Sequence, residues 1–156
     1  MEQNCRFNTM SNVIVKLSDD ALQKMKLYAI HTYPYECCGI LLGVIDEKGE
    51  ANIQKIISVE NMSDKENAWK YFEIDPLKLY EYEKKIKNSD YTIVGFFHSH
   101  PDEEAVLSNE DERRMIPKHI YIILSVSEKK CEEISAWMKT NIDSKAEKFI
   151  IQENSK

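Results

Sequence analysis

The stretch YTIVGFFHSHPDEEAVLSNED, residues 91–111, decides how this chain is read. Its first seven residues, Tyr91 to Phe97, are apolar and β-branched or aromatic enough to form a buried strand. Two histidines, His98 and His100, close that strand with one residue between them. Side chains at i and i+2 of a strand point to the same side, with Cα atoms roughly 7 Å apart. That spacing lets both imidazoles grip one ion. Asp111, at the start of a helix that Ser108 would cap, offers a third ligand. Two histidines and one carboxylate with a fourth position open form the ligand set of a catalytic zinc. The flanking Gly95-Phe96-Phe97 argues against a solvated His-x-His pair on a sheet edge. Taken alone, Ser108 and the acids at 110–112 read as a helix N-terminus favoured by the dipole. Both roles are compatible, because Ser108 and Asp111 are three apart and share one helical face.

Around this stretch, strands and helices alternate. Val13–Leu17 reads as a short strand. Ser18 reads as an N-cap followed by Asp19 and Asp20, and an apolar stripe of Leu22, Met25, Ala29 and Ile30 continues the helix until Pro34. Cys37–Ile45 is a buried strand, Asp46–Gly49 a turn, and Ala51–Val59 the returning strand of a hairpin. Residues 60–70 form a polar loop, and Tyr71–Ile74 a short strand. Asp75-Pro76 starts a helix that continues to about Asn88. A helix over Ser108–Ile116 stops at Pro117. His119–Val126, Glu133–Lys139 and Glu147–Gln152 complete the sheet. These elements predict a single α/β domain with a mixed, largely antiparallel sheet and flanking helices. The domain spans residues 12–152, between tails at 1–11 and 153–156.

A chain of 156 residues, 42% hydrophobic, can build one real core. The net charge of −6, with no basic stripe, argues against a nucleic-acid partner. No apolar run approaches a membrane span, and the polar first residues lack a signal-peptide core. No membrane association and a cytoplasmic location are therefore expected, with Cys5, Cys37, Cys38 and Cys131 as reduced thiols. No CxxC pair suggests a zinc knuckle or a redox motif. Cys37 and Cys38 read as small buried residues, and His31 and His119 as structural or surface residues. There is no His-Glu-x-x-His helix, no Pro-Cys-x-x-Cys partner, no Gly-rich phosphate loop and no Gly-x-Ser-x-Gly elbow. The sequence sets no oligomeric state.

The set His98-Ser99-His100-Pro101, Ser108 and Asp111 resembles the JAMM motif of the MPN-plus metallopeptidases. Glu36 stands in Tyr33-Pro34-Tyr35-Glu36-Cys37-Cys38-Gly39-Ile40-Leu41-Leu42-Gly43, which is similar to the Pro-x-Glu-x-Cys-Gly-x-Leu-x-Gly form of small prokaryotic members. Asn61 and Phe72–Pro76 also stand where such proteins have similar residues. Leu107 departs from the proline that many relatives carry before the serine. The resemblance covers residues 13–152 and implies a fold like that of the cytidine deaminases. It implies one zinc per chain on His98, His100 and Asp111. Glu36 becomes the base that takes a proton from the attacking water and returns it to the leaving amine, and Ser108 supports the oxyanion. Without the resemblance, Glu36 reads as an exposed acid at a strand end. The compact length resembles the class tied to sulfur-carrier proteins. That points to hydrolysis after the C-terminal Gly-Gly of a ubiquitin-like sulfur carrier, with release of an amino acid or short peptide. Removal of a ubiquitin-like tag from protein lysines is the alternative, and a zinc-stabilised binding module without turnover a second.

Overall fold

The computed structural model describes residues 13–154. The elements follow as β1 (Ile14–Ser18), α1 (Asp19–Thr32), β2 (Cys38–Ile45), β3 (Ala51–Val59), α2 (Pro76–Ile86), β4 (Thr92–Pro101), α3 (Asn109–Arg114), β5 (Ile120–Val126), β6 (Cys131–Met138) and β7 (Glu147–Asn154). The strands are hydrogen-bonded in the order β1-β3-β2-β4-β5-β6-β7, and β7 closes back on β1. β1 runs parallel to β3 and β7, and β4 parallel to β5. The β2–β3, β2–β4, β5–β6 and β6–β7 pairs are antiparallel. The sheet is mixed, as expected, and its closure removes the exposed edge that an open sheet would offer along these ladders. Among the described residues no helix is long and apolar enough to cross a membrane.

Strand alternation divides the interior into two cores. Leu41, Phe97, Ile122 and Leu124 face one side, where α1 buries Ala21, Leu22, Met25 and Ala29. Ile40, Leu42, Phe96 and Tyr121 face the other, against Phe72, Ile74 and Leu79. β2 and β4 are thus apolar on both faces, which explains their near-continuous hydrophobic sequence. Phe96, His98 and His100 alternate with Phe97 and Ser99, so both histidines emerge on the second face. Gly95 permits the close β4–β5 approach, since a side chain there would strike the Ile120 carbonyl. Ser18 ends β1 and caps α1, its Oγ accepting from the Ala21 amide at 3.1 Å. Asp75 caps α2 in the same way through the Leu77 amide, with Pro76 in its first turn.

Several boundaries differ from the sequence reading. Tyr71–Ile74 joins no strand. The Met62 amide donates to the Glu73 carbonyl, and the Glu73 amide donates to the Asn61 side chain. The Phe72 carbonyl accepts from Arg114. Side chains therefore replace the neighbouring strand that this stretch would need. α2 ends at Ile86, α3 spans only Asn109–Arg114, and β4 continues through Pro101. β7 runs to Asn154, two residues past the expected Gln152, so part of the predicted 153–156 tail is strand. The 1–11 tail and Cys5 lie outside the described residues. Cys37, Cys38 and Cys131 are buried free thiols, and burial pushes Cys37 up to about 12.

Candidate metal centre

Two histidines leave the end of β4 and one acid comes from α3. His98 Nε2 lies 3.3 Å from His100 Nε2, and each lies 3.0 Å from Asp111 Oδ2. The structure brings these three predicted ligands together, and they form a group able to hold a metal ion. His98 is fully buried, His100 is nearly so, and Asp111 is half-buried.

The tautomers show why a cation fits. His100 Nδ1 lies 2.9 Å from the Glu104 carbonyl oxygen. A carbonyl can only accept, so Nδ1 carries the proton. In the neutral ring Nε2 is then a bare lone pair aimed at His98 Nε2 and Asp111 Oδ2. A proton on His98 Nε2 can be shared with Asp111 Oδ2, and once that proton is given up three lone pairs converge on a point where a cation satisfies all of them. A tetrahedral zinc with ligands at about 2.0–2.1 Å has ligand–ligand edges of about 3.3 Å. The donor set fits that ion in chemistry and spacing. The Glu104 carbonyl is held in turn by its neighbour Ala105, whose amide donates to Glu133 and whose carbonyl accepts from Ser135. His98 is oriented differently. Its Nδ1 has no partner, and Phe72 stacks on its ring with centroids 4.4 Å apart and planes 20° apart.

The electrostatics follow from burial and from the shared carboxylate. Burial opposes charge on Asp111, yet hydrogen bonds with His100 and His98 hold it well below the usual carboxylate range. Burial pushes His98 down despite Asp111. For His100 burial works the same way, but the Asp111 carboxylate and the Glu104 carbonyl outweigh it and raise the ring. The two rings shift in opposite directions against one acid, because His98 is the more deeply buried and His100 has the Glu104 carbonyl as a further acceptor. His100 is the better seat for a proton, having acceptors at both nitrogens.

Glu36 sits just before β2, whose Cys38 pairs with His98. It is 4% exposed, which corrects the reading of it as an exposed strand-end acid. Its Oε1 is buried without a partner. Burial pushes its carboxyl up to about 8, partly countered by His100 and reinforced by Asp111. The Glu36 amide donates to the Ala68 carbonyl at 2.7 Å, and its carbonyl accepts from Asn61 Nδ2 at 3.0 Å. Ser99, between the two histidines, points the other way. Its fully buried Oγ accepts from the Cys37 amide at 2.8 Å, locking the Glu36 segment to β4.

Ser108 caps α3. Its Oγ accepts from the Asp111 amide at 3.0 Å, and its own amide donates to Asp111 Oδ2 at 3.3 Å. The carboxylate oxygen that meets the histidines is thus also part of a capping box. The structure puts His31 in the last turn of α1 and His119 against Phe96, away from the tripod.

Sequence reasoning gave Ser99 and Arg114 no role and noted Phe72 only by resemblance. It noted Asn61 only by resemblance, yet Asn61 also bonds the Tyr71 carbonyl, Ser63 and the Glu73 amide. Trp69, in the 60–70 loop, is 52% exposed and turns its Nε1 to the Glu66 carbonyl, so it gives the site no wall. The wall comes instead from Phe72, Ile74 and Pro76, which line an apolar pocket of about 180 Å³ with His98 and Asp111.

Solved structures share this architecture. A Desulfitobacterium hafniense protein aligns with a TM-score of 0.78 at 23% identity, covering 91% of this chain and 94% of its own. A Salinibacter ruber protein aligns at 0.69 with 25% identity, covering 90% and 92%. A Haloferax volcanii protein named desampylase is 31% identical over 93 residues, which is 59% of this chain and 63% of that relative's length. Residues 18–139, which hold Glu36, both histidines, Ser108 and Asp111, match the family described as prokaryotic homologs of the JAB domain, and the chain belongs to that family.

Proposed function

We propose that this chain is a zinc-dependent peptidase that hydrolyses the bond after the C-terminal Gly-Gly of a ubiquitin-like sulfur-carrier protein, releasing an amino acid or a short peptide. The observation that carries the reading is the convergence of His98 Nε2, His100 Nε2 and Asp111 Oδ2 with a buried carboxylate beside them. When bound on these three residues, zinc supplies Lewis acidity for the carbonyl under attack.

The protein's own groups move the proton. Glu36 accepts it from the attacking water and hands it to the nitrogen of the leaving amine, so that OH joins the glycine carbonyl and H joins the amine. Burial raises the Glu36 carboxylate's affinity for a proton, which suits a group that must take one from water. Asn61 and Ser99 keep Glu36 and β4 in fixed relation. Ser108 stands one helical turn before Asp111, as a hydroxyl donor to the oxyanion. A Gly-Gly tail carries no side chains, so it lies flat in a cleft that excludes bulkier peptides. The buried thiols Cys37, Cys38 and Cys131 suit a reducing cytoplasm.

The test is a matched pair of carrier fusions, one with Gly-Gly before the scissile bond and one with Leu-Leu. Cleavage of the first alone is expected, and Glu36→Gln should abolish it while keeping the zinc. Equal cutting of both defeats the Gly-Gly reading. Similarity to a protein named desampylase favours a second reading, removal of a ubiquitin-like protein from a lysine. It prevails if only the lysine-linked conjugate is processed. A zinc-loaded protein that turns over neither substrate is the binding module.

A further inference from the structure

The α3 helix carries Glu110, Asp111 and Glu112 followed by Arg113 and Arg114. Each acid is engaged. Glu110 pairs with Arg113, Asp111 meets the histidines, and Glu112 accepts from the Ala146 amide at 2.8 Å and faces Lys145. Arg114 has no carboxylate within 4.0 Å among the described residues. One nitrogen, Nη1, donates to the Phe72 carbonyl at 3.1 Å, and the guanidinium lies 5.8 Å from the Phe72 ring centroid. A guanidinium has five N–H donors, so most of this one remains free. It is half of a recognition fork, in a chain whose net charge is −6.

That free cation lines the same pocket as His98 and Asp111. Phe72, Ile74, Leu79, Phe96, Ile116 and Tyr121 give the rest of the wall, and its volume is about 180 Å³. An apolar cavity of about 150 Å³ holds a benzene ring, so the pocket takes one large apolar side chain. A hydrophobic seat, a free guanidinium and the metal ligands in one concavity match the three parts of a C-terminal amino acid: side chain, α-carboxylate and the amide nitrogen being released.

We propose that this pocket seats the residue released by the cut, its apolar side chain among Phe72, Leu79 and Ile116 and its free α-carboxylate on Arg114. The inference rests on the proposed cleavage after Gly-Gly and narrows it. The preferred leaving group is a single apolar amino acid with a free carboxylate, rather than an extended peptide or a lysine side chain. A peptide continuing past this residue replaces the carboxylate with a neutral amide, and the guanidinium loses its charged partner. Charge-assisted hydrogen bonds contribute about 1.5–3 kcal/mol, so the acid should bind about tenfold or more tightly than the amide.

The experiment titrates N-acetyl-L-phenylalanine and its amide into the zinc-loaded protein, following the methyl signals of Leu79 and Ile116 by NMR. Wild type should bind the acid at least tenfold more tightly, R114Q should bind both alike, and R114K should recover part of the preference. Arg114 is exposed, so these variants should fold. Equal affinities in wild type overturn the proposal. So does a preference that survives R114Q, which would put the carboxylate elsewhere. Carrier fusions ending Gly-Gly-Phe, as free acid or amide, provide the second arm. Faster cutting of the acid supports the proposal and equal cutting overturns it. If neither is cut while the Arg114-dependent binding preference holds, the pocket assignment stands and the Gly-Gly reading fails.

Discussion

Glu36→Gln in metal-free protein should stabilise the fold, increasingly so as pH rises. Burial carries the Glu36 carboxyl from 4.5 to about 8. A carboxyl raised in the folded state favours folding below its ordinary value and loses that advantage as pH climbs toward the raised one. Each pH unit travelled costs about 1.36 kcal/mol. From 4.5 to pH 7 that is about 3 kcal/mol, and the cost levels off near pH 8. Glutamine has nearly the same shape and no charge to desolvate, so its stability escapes this loss. Asp111 shifts the opposite way, so its contribution is intact over this range and falls only in acid. His98 and His100 shift in opposite directions and are present in both proteins, and of the two it is His100 whose proton affinity Glu36 raises. The difference between the two proteins therefore reports Glu36 together with its coupling to His100. Urea unfolding with excess chelator, at half-unit steps from pH 5 to 8.5, measures it. The variant's advantage should grow by about 3–4 kcal/mol between pH 5 and 8. Parallel stability curves would refute the claim that the carboxyl is buried and strained, and with it the basis for its role as a proton carrier.

The double variant His98→Ala plus His100→Ala should lose its metal equivalent, read by elemental analysis; retention of a full equivalent means the ligands lie elsewhere. Ser108→Ala should lose about 1 kcal/mol with the cap and about 10²-fold or more in kcat with the oxyanion donor. Ser108→Asn should restore the melting temperature but not kcat, and recovery of both reduces Ser108 to a cap. Asn61→Asp turns the Nδ2 donor toward the Glu36 and Tyr71 carbonyls into an oxygen. It should cost about 2–3 kcal/mol for two unmet acceptors and slow turnover with the metal retained, whereas a melting temperature like wild type would show that Asn61 does not hold the Glu36 segment.

The metal ligands were legible because their geometry is local. His98 and His100 obey the period of a strand, and Ser108 and Asp111 that of a helical turn. Glu36 was legible only by resemblance. Its neighbours Tyr35 and Cys37 do not reveal that the 61–68 loop folds over it. The contacts of Asn61, Ser99 and Phe72 were hidden for the same reason: each acts on a residue at least 25 positions away, through a backbone amide, a carbonyl or a ring face. Tyr71–Ile74 has the composition of a strand but no strand beside it, so side chains of Asn61 and Arg114 take up its backbone groups. Sheet closure was equally hidden. β1 is five residues long and parallel to two partners, and no turn signal encodes a parallel pairing.

The two halves of the tripod differ in how firmly they are held. His98 and His100 ride on β4, which is paired with β2 and β5 on its two sides, and the Cys38–His98 register fixes the face they present. A slip of one residue would turn both imidazoles into the opposite core. Asp111 instead rides on a six-residue helix with no buried residues of its own. What secures that helix is its capping box, the Ala146 amide on Glu112 and the Arg114 bond to Phe72. Because Asp111 Oδ2 receives the Ser108 amide and faces both imidazoles, helix capping and ligand assembly depend on one oxygen. Removing that carboxylate therefore takes away the metal ligand and the reciprocal half of the capping box together, while the Ser108 Oγ bond and the Arg114 bond to Phe72 remain. The acid is thus the joint between the start of the helix and the histidine pair.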